Sequence, residues 1–154
     1  MSALGAQNIG ANKPERAIKT LRYAIIITVS FGLVVAVSTQ FVADQIVALF
    51  TDDAKALRLG GQYFRGYIWD CMFAGIHFSF SGYFCAIGKS GLSFLHNILA
   101  VTLVRVPGAY LTSKLFPATL FPMGLATAGG SLLSVAVCLI AFAILRHKAA
   151  AAEV

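Results

Sequence analysis

The sequence is poor in charged residues, because Asp, Glu, Lys and Arg together make up 12% of its 154 residues. Soluble domains carry about twice that share, at roughly 25%. Hydrophobic residues make up 58% of the chain, and the mean hydropathy is +0.81. This balance excludes an ordinary soluble domain. It predicts an all-α integral membrane protein that is embedded in the lipid bilayer.

The sequence also lacks the patterns of metal and catalytic sites. Cys71, Cys85 and Cys138 lie inside apolar runs without CxxC or Cys/His spacing, so we expect no metal site and no disulfide framework. No serine, cysteine or histidine constellation for nucleophilic catalysis is recognisable, which predicts that the protein is not an enzyme. The net charge of +6 lies mainly at the ends of apolar runs, so nucleic acid is not an expected partner.

Four apolar segments are long enough to cross a bilayer, which takes about 20 helical residues. These predicted spans cover residues 23–42, 66–87, 92–115 and 123–145. They divide the chain into a cytoplasmic segment with the end of a helix and a basic loop (1–22), a four-helix transmembrane domain (23–148) and a frayed tail (149–154).

The connections predict local structure. Thr51–Asp53 offers N-cap residues for a helix that begins at Ala54. Gly60–Gly61 is the expected site of a break or kink before the second span. The polar turn Gly88–Gly91 is short, so the second and third spans should be antiparallel neighbours.

Lysine and arginine counts predict the orientation. With a cytoplasmic N-terminus, seven of these residues lie inside: Lys13, Arg16, Lys19, Arg22, Lys89, Arg146 and Lys148. Four lie outside: Lys55, Arg58, Arg65 and Lys114. By the positive-inside rule, both termini should face the cytoplasm of a multi-pass protein of the plasma membrane.

The second span combines apolar length with two titratable residues, Asp70 and His77. At about 100° per residue, one face of its helix is small and polar: Asp70, Ala74, His77, Ser81 and Gly88. The other face is bulky and should contact lipid: Trp69, Met72, Ile76, Phe80, Tyr83 and Ile87. An ionisable group inside a membrane needs a partner or a function. Asp70 and His77 are therefore candidate sites for a coupling ion or proton. The alternatives are a structural ion pair or a carboxylate that snorkels to the outer interface for Asp70, and a buried neutral imidazole for His77.

Arg105 in the third span is the expected charge partner of Asp70. At about 1.5 Å per helical residue, Asp70 lies roughly 27 Å and Arg105 roughly 20 Å from the turn that joins the two spans. An extended arginine can cover most of that gap. Asp70 and His77 themselves are about 10 Å apart along the helix, so a relay between them should need water.

Aromatic residues around His77 offer a second kind of candidate site. Phe73, Phe78, Phe80, Tyr83 and Phe84 could bind flat cations through cation–π contacts, with lipid contact and helix packing as the alternative. Among the residues of this span, Phe73, Ser81 and Phe84 are the candidates for a substrate-facing surface.

Four motifs resemble the MATE (multidrug and toxic compound extrusion) transporter family. They are AQNIGANKPERA (Ala6–Ala17), ALFTDD (Ala48–Asp53), SGYFCAIGKSGLSF (Ser81–Phe94) and RVPGAYL (Arg105–Leu111). In order, they resemble segments after the family's eighth and ninth helices, at the close of its tenth and in the middle of its eleventh. The resemblance implies a twelve-helix protein with two lobes. Such a protein exports small cationic or amphipathic compounds in exchange for sodium ions or protons.

On this resemblance, the chain is a C-terminal fragment that supplies helices nine to twelve and is inactive without the missing N-terminal helices or a partner membrane chain. Two positions depart from the family's pattern. Asn12 stands where the family commonly has glycine, and the tenth-helix carboxylate of one branch aligns with Ala74, one turn from Asp70.

Two other classes of function remain open. The chain could be a small structural or regulatory membrane subunit that docks through the small residues of its fourth span, which are Gly124, Ala128, Gly129, Gly130 and Ser134. It could also be a dimeric four-helix exporter, although its first span lacks the acidic residue that such exporters need.

Overall fold

The computed structural model describes residues 1–152, which form an all-helical bundle, so the predicted fold class is confirmed. Seven α-helices and one π-helical turn follow in order: α1 (Ser2–Gly10), α2 (Pro14–Ala48), α3 (Ala54–Tyr67), α4 (Asp70–Ala86), α5 (Ser90–Ala100), the π-turn (Val101–Arg105), α6 (Val106–Leu115) and α7 (Phe121–Ala152). The predicted tail is helical up to residue 152, and its last two positions lie outside the described residues.

Three helical segments of the described chain are long and apolar enough to cross a membrane: Pro14–Ala48, Ser90–Leu115 and Phe121–Ala149. The predicted second span is not one continuous α-helix, because the α-helical hydrogen-bond pattern is interrupted at residues 68–69, between α3 and α4, although both residues keep right-handed helical φ and ψ. As a result α4 has 17 residues. It contacts α1, α2, α5 and α7, so it is the interior helix of the bundle.

The predicted break at Gly60–Gly61 is wrong. Helix α3 runs through both glycines, and neither has a positive φ. A larger residue would not fit at either position, because α2 lies close by. A Cβ on Gly60 would be 2.9 Å from Val47 Cγ1, and one on Gly61 would overlap the Asp44 carboxylate. The two glycines therefore serve close helix packing and not a hinge.

The predicted N-cap of α3 is confirmed, since the Ala56 N–H donates to Asp53 Oδ1 at 2.6 Å. Two turns use left-handed backbone, with φ +73° at Gly88 after α4 and φ 56° at Asn12 between α1 and α2. Asparagine tolerates this conformation better than most residues with a side chain. Asn12 can therefore keep a turn for which glycine is the commoner choice.

The face of α4 that was expected to contact lipid is instead partly buried. Phe80 and Tyr83 are 3% and 8% exposed, and both pack edge-on against Phe142 of α7. The exposed residues of α4 are Cys71, Phe78 and Cys85. Periodicity identified two chemically different faces, but α4 has helices on both sides, so its bulky face packs against protein.

Candidate functional site

A buried network of polar side chains lies where α4, α5, the π-turn and α7 meet. We call it the polar network, and its members are Asp70, His77, Ser81, His96, Arg105, Ser131 and Ser134. Five of them are 6% exposed or less, namely Asp70, His77, His96, Ser131 and Ser134. Because buried polar groups are costly without partners, the hydrogen bonds among these residues decide what the network can do.

An ion pair between Asp70 and Arg105 forms one end of the network. Arg105 Nη2 donates to Asp70 Oδ1 at 3.3 Å and to Ser131 Oγ at 2.7 Å. Asp70 is the first residue of α4, where the positive end of the helix dipole stabilises a negative charge. The structure thus brings together the two charged residues that the sequence paired by depth.

Ser131 connects this ion pair to His77. Its hydroxyl accepts from Arg105 and lies 3.3 Å from His77 Nε2, to which it can donate its own proton. Arg105 and Ser131 therefore bridge the distance between Asp70 and His77 that was expected to need water. His77 Nδ1 is buried and has no hydrogen-bond partner among the described residues.

His96 continues the network beyond His77. The two rings meet edge-on, with their centroids 5.3 Å apart. The Ser134 hydroxyl donates to the His96 carbonyl oxygen at 3.1 Å, so the Ser134 oxygen accepts from His96 Nδ1 at 3.3 Å. His96 Nε2 is then left to accept from the Ser81 hydroxyl at 2.7 Å. Both ring nitrogens of His96 are thus in use.

His96, Ser131 and Ser134 were not predicted from the sequence as members of this site. Ser131 and Ser134 are three residues apart on α7, so they share one face of a helix that is otherwise largely apolar. That spacing could have indicated a polar contact on this face of α7. It could not show that the two serines would face histidines from α4 and α5.

Local backbone features hold Arg105 in place. Pro107 has no N–H, and its ring needs space at the carbonyl four residues earlier, which favours a distorted turn at this point. The π-turn Val101–Arg105 occupies that position, and such turns often occur at functional sites. On α7, Gly130 leaves room for Arg105, since a Cβ on it would lie 2.5 Å from Arg105 Cγ.

The structure does not bring the three substrate-face candidates to one surface. Phe84 is 0% exposed and belongs to the hydrophobic core. The Ser81 hydroxyl bonds His96, and Phe73 is half-buried. The three candidates therefore do not share one exposed surface in this conformation, and their role toward a substrate stays a prediction.

A second ion pair, which was not expected from the sequence, connects α2 to α3. Arg65 donates to both carboxylate oxygens of Asp44, at 3.1 Å and 2.8 Å. Arg65 Nε also donates to the Gln40 carbonyl, and the Gln40 side-chain amide donates back to the Arg65 carbonyl. This two-point contact is typical of a structural clamp.

The fold and the network define the class of protein. The long helices expose large apolar side chains, among them Ile26, Ile27, Phe31, Val34, Phe41, Leu103, Leu139 and Ile140. The interior instead holds an ion pair and two histidines. A bundle that is apolar outside and ionisable inside is typical of membrane proteins that move ions or solutes.

The comparisons identify the family. The family model MatE matches residues 1–111, which is more than half of the chain, and the chain therefore belongs to the MatE family of multidrug efflux transporters. A comparison with curated proteins and one with solved structures gave no match.

Proposed function

We propose that this chain is the C-terminal part of a cation-coupled efflux antiporter and that Asp70 binds the coupling ion, either a sodium ion or a proton. The Asp70–Arg105 ion pair, whose carboxylate is buried, is the observation that supports the proposal most directly. Two charges inside a membrane bundle are expensive to bury, and a well-packed apolar pair would often be at least as stable. A role in ion exchange would account for that cost.

In the proposed mechanism, Arg105 neutralises Asp70 while the coupling ion is absent. The carboxylate is 8% exposed, whereas the Arg105 side chain is 32% exposed and can move away from it. Ion binding at Asp70 would break the hydrogen bond from Arg105 to Asp70, while the hydrogen bond from Arg105 to Ser131 would remain. Because Arg105 ends the π-turn, its movement would shift α6 relative to α4. An ion and a substrate that favour opposite-facing states then displace each other.

His77 is the second candidate in this scheme. Its Nε2 is linked to Arg105 through Ser131, so a proton held at His77 would act on the same arginine. The substrate class that we propose, small cationic or amphipathic compounds, rests on membership of the family and not on a formed pocket.

The two alternative functions fit the geometry less well. A docking subunit would need the small residues of α7 to be free, but Gly124 packs against the backbone of Gly66 in α3, and Gly130 accommodates Arg105. A dimeric exporter would need an acidic residue at depth in α2. Asp44, near the end of α2, is held by Arg65.

The only tryptophan of the chain allows a direct test, because Trp69 immediately precedes Asp70. We expect its fluorescence to change with added sodium chloride, relative to choline chloride at the same ionic strength, or with pH. The change should saturate and should be lost in Asp70→Asn. The matched control Asp44→Asn removes the other paired carboxylate and should keep the response. A response that persists in Asp70→Asn, or none to either ion, would contradict the proposal.

A further inference from the structure

An apolar cavity of about 350 Å³ lies between α5 and α7, with Phe84 of α4 in its wall. Leu92, Leu95, Ala141 and Ile144 contribute to its lining. Its volume falls within the range of ligand pockets, roughly 300–1,000 Å³. His96 also lines it, but both ring nitrogens of His96 already have partners in Ser81 and Ser134. The cavity therefore suits a purely apolar group.

Three of the apolar residues that line this cavity are exposed on helices long enough to cross a membrane. Leu95, Ile140 and Ile144 are 44%, 61% and 51% exposed. They belong to Ser90–Leu115 and Phe121–Ala149, which are both long and apolar enough to cross a membrane. An apolar group can therefore enter from the bilayer without crossing water.

Basic residues lie at one end of the cavity. Leu145 lines the cavity, an adjoining groove that contains Lys89, and a recess that contains both Lys89 and Arg146. Within residues 1–152, neither Lys89 nor Arg146 forms an ion pair. Glu15 lies in the same recess, so two cations face one carboxylate there. The rim keeps an excess of positive charge beside an apolar cavity.

We propose that this cavity and its rim bind an anionic phospholipid. One acyl chain fills the cavity, and the phosphate lies between Lys89 and Arg146. Burying methylene groups favours the chain, while ammonium and guanidinium donors favour the phosphate. A zwitterionic lipid could supply the same chain, but its headgroup carries a cation that the basic rim would repel. The charge of the rim therefore favours the anionic headgroup.

Thermal unfolding of the full chain in detergent, with added lipid, tests this proposal. Phosphatidylglycerol should raise the midpoint, and its half-saturating concentration should be at least tenfold lower than that of phosphatidylcholine with the same acyl chains. Lys89→Gln with Arg146→Gln should abolish this difference. Lys13→Gln, which removes an exposed cation that lines neither the groove nor the recess, should preserve it.

The cavity itself is tested by a matched pair on α7. Ala141→Phe fills the cavity and should abolish stabilisation by both lipids, whereas Ala143→Phe adds the same ring at an exposed position that does not line it. Equal stabilisation by the two lipids, or by inorganic phosphate alone, would overturn the proposal. If Ala141→Phe does not fold, the surface variants at Lys89 and Arg146 still decide the question.

Discussion

Asp70 and Arg105 can be tested as an energetic unit by a double-mutant cycle. Removing one partner from a buried ion pair costs about 3–5 kcal/mol, because the other charge is stranded. In Arg105→Gln the stranded group is Asp70, whose side chain is only 8% exposed, so we expect a loss within that range. In Asp70→Asn the stranded group is Arg105, which is 32% exposed and keeps Ser131. That loss should be smaller, about 1–3 kcal/mol.

The double variant should lose less free energy of unfolding than the two single variants summed. We expect a coupling energy of about 1–3 kcal/mol. Asp70→Asn also removes a favourable helix-dipole interaction of about 0.3–1 kcal/mol, but this loss occurs with and without Arg105 and cancels in the cycle. The assay is unfolding by dodecyl sulfate in mixed micelles, followed by circular dichroism.

The Asp44–Arg65 pair supplies the internal control for this cycle. Its side chains are 48% and 29% exposed, so solvent screens the interaction, and its coupling energy should be about 0–1 kcal/mol. Strictly additive losses at Asp70 and Arg105 would refute the reasoning. Arg105 would then not hold Asp70, and the proposed exchange of arginine for a coupling ion would have no energetic basis.

Two further predictions concern packing and transport. Gly130→Ala should destabilise the bundle by about 1–3 kcal/mol, because the new Cβ would meet Arg105 Cγ at 2.5 Å. The matched control is Gly129→Ala, whose Cβ would be 3.6 Å from Val104 Cγ1. This variant should be neutral or stabilise the bundle by up to about 1 kcal/mol in the same assay. Expression of this chain alone in a sensitive, pump-deleted host should leave dye accumulation unchanged, because alternating access needs a second bundle. Ion-dependent dye extrusion by the chain alone would contradict this prediction.

The parts of the structure that the sequence could predict depend on local geometry. Hydropathy indicated the all-α membrane fold, and the acidic N-cap at Asp53 follows from side-chain chemistry close in the sequence. The approach of Asp70 and Arg105 could be expected because a short turn joins two helices of known rise. Each of these inferences uses one segment or one tight connection.

The remaining features depend on contacts between segments distant in sequence. The bulky face of α4 was expected to contact lipid, but it packs against protein, because periodicity cannot show how many neighbours a helix has. Gly60–Gly61 is compatible with a hinge or with close packing, and only the position of α2 distinguishes them. The contact of His96 with Ser134 depends on how α5 lies against α7.

The geometry of the two ion pairs suggests different roles for them. Arg65 holds Asp44 with two hydrogen bonds, the arrangement that fixes the position of an arginine relative to a carboxylate. Arg105 instead reaches Asp70 with a single, longer contact of 3.3 Å and shares the same nitrogen with Ser131. An ion pair that must open to admit a coupling ion cannot be too strong, because the ion has to compete with the arginine. The single, longer hydrogen bond at the more deeply buried carboxylate is therefore the geometry that suits exchange, whereas the two-point contact near the end of α2 fixes α2 against α3 even though solvent screens its charges.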